Sequence, residues 1–211
     1  HIENAGVHSG DATIILPAQR INLQTFREIR LIARRISKAL KITGPFNIQF
    51  IAKDNKIKVI ELNLRASRTF PFVSKTYGLN FIDLATKAML GEDVNRVDKS
   101  LFEKDYVCVK APQFSFSRLK KADPILSVEM VSTGEVACFG RSFEEALLKA
   151  MIAGGTKIPK PGDSILISVG GEKEKAVETA KKIMHNGYRI LATGHTADAL
   201  TANGIVCEKV Y

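Results

Sequence analysis

Cysteine is scarce in this sequence, with only Cys108, Cys138 and Cys207. They are odd in number, far apart, set in apolar or strand-like surroundings and never spaced Cys-x-x-Cys. A disulfide framework and a thiolate zinc site are therefore not expected. Histidine is almost as sparse: His1, His8, His185 and His195 include no helix-spaced pair, so no transition-metal centre made of protein ligands alone is expected either. Oxygen-ligated magnesium is untouched by this reasoning. Long apolar runs are missing too. No stretch approaches the roughly 20 residues that span a bilayer, and the first residues lack the basic, apolar, small-residue order of a secretory signal. A cytosolic chain with no membrane partner is the expectation.

What is present suits a globular protein. With 211 residues, 45% hydrophobic and 25% charged, the chain can bury at least one core, and its length permits one domain or two. The formal net charge of +9 raises a nucleic-acid partner, because clustered Lys and Arg gain affinity by releasing phosphate counterions. Here the basic residues read as dispersed over polar helix faces, as at Arg27, Arg30, Arg34, Arg35, Lys181 and Lys182. Solvated faces and polyphosphate substrates account for them, and no nucleic-acid partner is expected.

The fold class reads as α/β, with a mixed α+β part first and a partial parallel, Rossmann-like α/β part after it. Apolar residues at Phe26, Ile29, Ile32, Ala33, Ile36, Ala39 and Leu40 predict an amphipathic helix over 21–41. Two strand-like runs, 46–53 and 57–63, flank Asp54, Asn55 and Lys56, which predicts a hairpin with a three-residue turn. Asn80 and Gly91 bracket a helix, and Ser142 with Glu145 forms a capping box ahead of another. Between those helices, 106–111 and 135–139 are the expected strands. The Gly-, Lys- and Pro-rich stretch 154–162 marks a boundary. Beyond it the order strand 164–169, helix 176–184, strand 188–192, helix 197–202 and strand from 205 predicts a parallel sheet.

The chemistry concentrates on the hairpin. Side chains alternate faces along a strand, so Glu61 and Asn63 share one, about 7 Å apart. A three-residue turn places Gln49 opposite Glu61 on that face. Carboxylate and amide oxygens are the hard donors magnesium prefers, and magnesium keeps room for phosphate oxygens. The triad therefore suits a metal–ATP complex. Ile51, Ile57 and Val59 are expected on the same face, which predicts a buried site whose polar groups need partners. Arg65 and Arg68 follow closely enough to neutralise charge on a transferring phosphoryl group.

Other candidates are weaker as residues alone. Gly6, Val7, His8, Ser9 and Gly10 form a glycine-containing loop of the kind that approaches a ligand closely, although a plain turn would look the same. Gly170-Gly171 and the run Thr193 to Thr196 follow predicted parallel strands and precede helices. Lys173, Thr193 and Thr196 could hold a phosphate there, and helix capping explains the same residues equally well.

Together these motifs resemble the large chain of carbamoyl phosphate synthetase, specifically its second ATP-grasp half and the start of its methylglyoxal-synthase-like allosteric domain. The resemblance rests on AGVHSGD (5–11), TGPFNIQF (43–50), IELNLRASRTFPFVSK (60–75), APQFSFSRL (111–119) and STGEVACFG (132–140). It implies that 1–90 is the C-terminal part of the second ATP-grasp domain, 91–157 the end of the synthetase unit, and 158–211 the first half of the regulatory domain. It implies ATP contacts from Gly6, Val7, His8, Ser9, Gln49 and Glu61, Mg or Mn held by Gln49, Glu61 and Asn63, and Arg65 and Arg68 facing the phosphates. Lys173, Thr193 and Thr196 would match positions that bind a nucleotide effector.

The reaction implied is phosphorylation of carbamate by ATP, with ammonia coming from a glutamine amidotransferase subunit or fused domain. Phe114 to Ser117 and SRTFPFVSK favour the eukaryotic pyrimidine-pathway form, often fused to aspartate transcarbamylase and dihydroorotase. The arginine- or urea-pathway form is the close alternative, and a non-catalytic nucleotide-sensing module is the alternative of another class. Ala111 stands where ornithine-responsive bacterial relatives carry an acid, although Glu3 and Asp11 match. The adenine pocket and phosphate lid of such an enzyme would lie upstream of these residues. The 211 residues alone are thus expected to make no carbamoyl phosphate from ATP, bicarbonate and ammonia; measurable turnover would contradict this.

Overall fold

The computed structural model describes residues 1–97, 103–115 and 125–211. The end of the APQFSFSRL run, from Phe116 onward, lies outside the described residues. The chain forms two compact units, His1–Thr156 and Lys157–Tyr211, and the α/β class read from the sequence holds.

In the first unit, β1 (Ile14–Leu16), β4 (Val107–Phe114) and β5 (Ser132–Gly140) form an antiparallel sheet in the order β1-β4-β5. Helix α4 (Phe143–Ala153) packs on it, and Val109, Ala111, Ala146 and Ala150 close a core between them. Small residues let the helix sit close. A Cβ on Gly140 would lie 2.6 Å from the Ala146 amide nitrogen, so only glycine fits that crossing. The predicted capping box is present in modified form: Ser142 accepts from the Glu145 amide, while the Glu145 carboxylate accepts from the Arg141 amide. Both strands run longer than expected, and β1 is too short to announce itself.

Two acidic residues fasten the N-terminal segment to this sheet. Glu3 accepts from the Thr13 amide at 2.6 Å and its hydroxyl at 2.7 Å. Asp11 is fully buried and accepts from the Val131 and Ser132 amides, both at 2.9 Å. Burial alone would raise its pKa, but hydrogen bonds from Ser132 and from the two amides outweigh that and lower it.

The hairpin is β2 (Asn47–Lys53) and β3 (Lys56–Asn63). Its turn has two residues and not three, because Asp54 (φ 50°) and Asn55 (φ 60°) both take the left-handed conformation of a type I′ turn. Helix α1 (Leu23–Ala39) lies against the hairpin. Asn22 caps it by accepting from the Thr25 amide, and the Asn55 side chain accepts from both Asn22 and the Thr25 hydroxyl. The turn is thus fastened to the start of the helix. Helix α2 (Thr69–Tyr77) was not expected, since Pro71 and several β-branched or aromatic residues disguise it; its left-handed cap, Gly78, is the readable signal. Helix α3 (Phe81–Met89) is capped by Asn80 as predicted.

The second unit follows the predicted order. Strands β6 (Ser164–Ile167), β7 (Arg189–Thr193) and β8 (Glu208–Val210) pair in parallel, with α5 (Glu174–His185) and α6 (Gly194–Ala202) between them. Ala180, Ile190, Ala192, Ala197, Leu200 and Ile205 make its core.

Two stability outcomes follow. Asn55→Ala loses two hydrogen bonds and strains a left-handed residue, so it is expected to cost about 1–3 kcal/mol in urea unfolding, with Asn55→Gly costing less. Asp11 has a folded pKa below its unfolded value of ~3.9, so its contribution is full above that pH and fades as pH falls through the folded value. Unfolding measured from pH 7 to 3 should lose this component in acid, and Asp11→Asn should abolish that loss; parallel wild-type and variant profiles would contradict it.

Candidate active site

A cleft of about 1140 Å³ opens within the first unit. His8, Ser9, Gln49, Glu61, Asn63, Arg65 and Arg68 all line it, whereas Gly6 and Val7 do not. The hairpin, the N-terminal loop, β1, β4 and the starts of α2 and α4 all contribute to its lining.

Gln49 pairs directly with Glu61, and Asn47 with Asn63. The predicted pairing is present, but it arises differently. A two-residue turn alone would set Gln49 opposite Ile60. The ladder instead steps between Phe50↔Val59 and Gln49↔Glu61, leaving Ile60 as an extra residue. This β-bulge restores the pairing that a three-residue turn would have produced.

The bulge also changes the company the triad keeps. Cross-strand partners share a face, so Ile51 pairs with Lys58 on the Gln49 side, while Ile57 and Val59 pair with Ala52 and Phe50 on the other. Of the three apolar residues expected around the triad, only Ile51 shares its face. Glu61 is exposed, Gln49 and Asn63 are half-buried, and Ile51 and Val59 are themselves exposed. The donors face an open, solvated cleft.

Asn63 Nδ2 donates to Glu61 Oε1 at 3.0 Å. The two side chains are in contact, with the amide nitrogen toward the carboxylate; holding a cation between them requires the amide to turn its oxygen inward, a rotation about one bond. The donor set, one carboxylate and two amide oxygens, fits magnesium or manganese. Among the described residues no cluster of three or more His, Cys, Asp or Glu side chains competes with it.

Just beyond β3, Arg65 Nη1 donates to the Ala66 carbonyl at 3.3 Å. Arg68 Nε lies 3.8 Å from Glu135, and its Nη1 lies 3.2 Å from Met130 Sδ. Glu135 also pairs at 3.4 Å with Lys110, whose ammonium is 1% exposed and reaches the Gly10 carbonyl at 3.4 Å. Burial lowers the Lys110 pKa, and Glu135 opposes that. Lys110 and Glu135 were missed as site residues. The readable signal was a lone cation inside the apolar strand run VCVKAP.

The N-terminal loop is a packed turn. His8 Nδ1 accepts from the Gly10 amide at 3.0 Å, and a Cβ on Gly10 would fall 2.6 Å from Met130 Sδ. A larger residue at Gly10 would have to displace the Met130 and His8 side chains.

In the second unit, Thr193 Oγ1 donates to Ser168 Oγ at 2.8 Å. Thr196 is buried; its hydroxyl accepts from the Val169 amide at 3.1 Å and donates to the Val169 carbonyl at 3.3 Å. Thr193 ties the segment after β6 to the end of β7, and Thr196 ties it to the first turn of α6. Neither Thr193 nor Lys173, at the cap positions of α6 and α5, makes a side-chain capping bond, so capping does not explain them.

Comparison with known proteins matches residues 2–97 to the family described as carbamoyl-phosphate synthase L chain, ATP binding domain, and residues 175–211 to the MGS-like domain. The chain is 54% identical over 210 residues to the multifunctional protein URA2 of Saccharomyces cerevisiae, covering 99% of the chain and 9% of that protein. It is 56% identical over 207 residues to the multifunctional protein pyrABCN of Emericella nidulans, covering 97% and 9%. It is 49% identical over 216 residues to the mitochondrial carbamoyl-phosphate synthase (ammonia) of Homo sapiens, covering 100% and 14%. The chain thus spans a small part of the length of these relatives. Among solved structures, the ADP complex of purK, an N5-carboxyaminoimidazole ribonucleotide synthetase, is similar with a TM-score of 0.51 at 16% identity, covering 70% of this chain and 42% of that one. The Thermotoga maritima synthetase of the same name gives 0.50 at 18%, covering 67% and 43%. These two likenesses show the ATP-grasp fold alone. The chain belongs to the carbamoyl-phosphate synthase large-chain family, joining its ATP-binding domain to an MGS-like domain.

Proposed function

We propose that this chain supplies part of the site at which a glutamine-dependent carbamoyl phosphate synthetase phosphorylates carbamate with ATP. In that step a carbamate oxygen bonds to the γ-phosphorus and the bond to the bridging oxygen breaks, leaving ADP and carbamoyl phosphate. The observation that carries the reading is the placement of Gln49, Glu61 and Asn63 with Arg65 and Arg68 in one cleft of the unit that matches an ATP-binding domain.

Gln49, Glu61 and Asn63 hold magnesium or manganese, which when bound offsets phosphate charge and orients its oxygens. Arg65 and Arg68 face the transferring group and stabilise the negative charge it spreads over its oxygens. His8 and Ser9 contact the nucleotide from the N-terminal loop, with Gly6 and Val7 shaping that loop from outside the cleft. No nucleophile from the protein is required, because positioning and electrostatics carry phosphoryl transfer.

The domain reading is that 1–90 closes the second ATP-grasp domain, 91–157 completes the synthetase unit and 158–211 opens a regulatory domain. There Lys173, Thr193 and Thr196 lie at the carboxyl ends of parallel strands, where a nucleotide effector would bind. Identities of 54% and 56% to multifunctional proteins, against 49% to the mitochondrial ammonia-dependent enzyme, support the pyrimidine-pathway form over the urea-pathway form. Fused aspartate transcarbamylase and dihydroorotase, an ammonia-supplying glutaminase and a cytoplasmic setting belong to the same reading. No helix among the described residues is long and apolar enough to cross a membrane.

Glu61→Gln in the full-length enzyme removes an anionic ligand without altering side-chain volume. It is expected to leave the unfolding midpoint unchanged and to reduce carbamate phosphorylation by several orders of magnitude, read as ATP formed from ADP and carbamoyl phosphate. Near-normal turnover would overturn the metal assignment.

A further inference from the structure

Ser67 lies on the loop between β3 and α2, between the two arginines. Among the described residues its Oγ is the only buried side-chain nitrogen or oxygen with no hydrogen-bond partner. Buried polar groups are otherwise almost always paired, so an orphan of this kind needs a reason.

The structural roles open to a serine there are not filled. It does not cap α2: the cap position is Arg68, which has no side-chain capping bond, and Pro71 in the first turn has no amide to offer. Ser67 serves the helix only through its carbonyl, which accepts from the Phe70 amide at 3.0 Å. Its hydroxyl could therefore be replaced without breaking any bond within the described structure.

Its location supplies the reason. Ser67 lines the cleft together with Arg65, Arg68 and Thr69, and Glu61 and Asn63 line the same cleft. Arg68 is already held by Glu135 and Met130, and Arg65 by the Ala66 carbonyl. A neutral hydroxyl on the same short cleft-lining loop as two guanidinium groups suits an oxyanion with several acceptor oxygens, which needs short-range donors as well as charge. Because the hydroxyl has no bond to give up, turning about its single χ1 torsion toward such a ligand sacrifices no hydrogen bond.

We infer that Ser67 Oγ donates a hydrogen bond to an anionic oxygen of the phosphoryl group bound between Arg65 and Arg68. This rests on the carbamate-phosphorylation reading above. It adds a neutral donor to the charged groups assigned there, and nothing in the motif spacing had pointed to it.

The test is Ser67→Ala in the full-length enzyme, with Glu61→Gln alongside. Removing an unpaired buried hydroxyl should leave the unfolding midpoint equal or slightly higher. Loss of one preorganised donor should lower kcat for ATP synthesis from ADP and carbamoyl phosphate roughly 10- to 100-fold, with KM for ADP little changed. Normal kcat in Ser67→Ala beside an inactive Glu61→Gln overturns the role of Ser67 and leaves the metal–nucleotide reading standing. Normal turnover in both variants overturns both. A kcat loss that comes with a lowered unfolding midpoint shows the hydroxyl to be structural, which also overturns the inference.

Discussion

The candidate site depends on one extra residue in a strand. Because Asp54 and Asn55 close the hairpin in two residues, regular pairing would present Gln49 to Ile60 and send Glu61 to the opposite face. The bulge at Ile60 shifts the ladder by one position, so Gln49 meets Glu61 and Asn47 meets Asn63. Every later feature of the cleft assumes that shift. The same hairpin is fastened at its far end by Asn55 to Asn22 and the first turn of α1, which limits how far its two strands can slide or twist.

Around this hairpin, charge is arranged in an ordered chain. Lys110 is buried and answered by Glu135, which also faces Arg68 on the cleft wall. A buried cation is costly unless paired, so Lys110 holds Glu135 in place and Glu135 restrains Arg68. Part of the Arg68 side-chain entropy is thus already lost to its contacts with Glu135 and Met130. Asp11, buried behind the N-terminal loop residues that line the cleft, fixes the start of β5 through two amide hydrogen bonds, next to the cleft-lining Met130. In the second unit threonine hydroxyls do the joining: Thr193 at the end of β7 bonds Ser168, and Thr196 in the first turn of α6 bonds the Val169 backbone just after β6.

Much of this was legible in the residues, and the misses have physical causes. Helices α1, α3 and α4 announced themselves through periodic apolar residues and the caps Asn80 and Ser142, and the parallel order of the second unit followed from its strand–helix alternation. The Gln49–Glu61 pairing was reached through a turn one residue too long, because sequence alone does not show that Asp54-Asn55 adopts a type I′ turn or that Ile60 is extra. That error carried over to burial: Ile57 and Val59 were assigned to the wrong face, so an exposed site was expected to be buried. Helix α2 was hidden by Pro71, which is tolerated because it falls within the first turn. Lys110 and Glu135 act through contacts between segments distant in sequence, which no local spacing encodes, and the burial of the Ser67 hydroxyl is a property of the packed loop that its motif does not announce.

The central claim is that Gln49 and Glu61, brought together by the bulge, hold the same ion. A double-mutant cycle on manganese affinity in the full-length enzyme with ATP, read from the electron paramagnetic resonance of free Mn²⁺, tests it most directly. Ligands sharing one ion should show strong non-additivity, with Gln49→Ala and Glu61→Gln together losing little more affinity than the worse single variant. Strictly additive losses, or no change in manganese binding in either single variant, would contradict it.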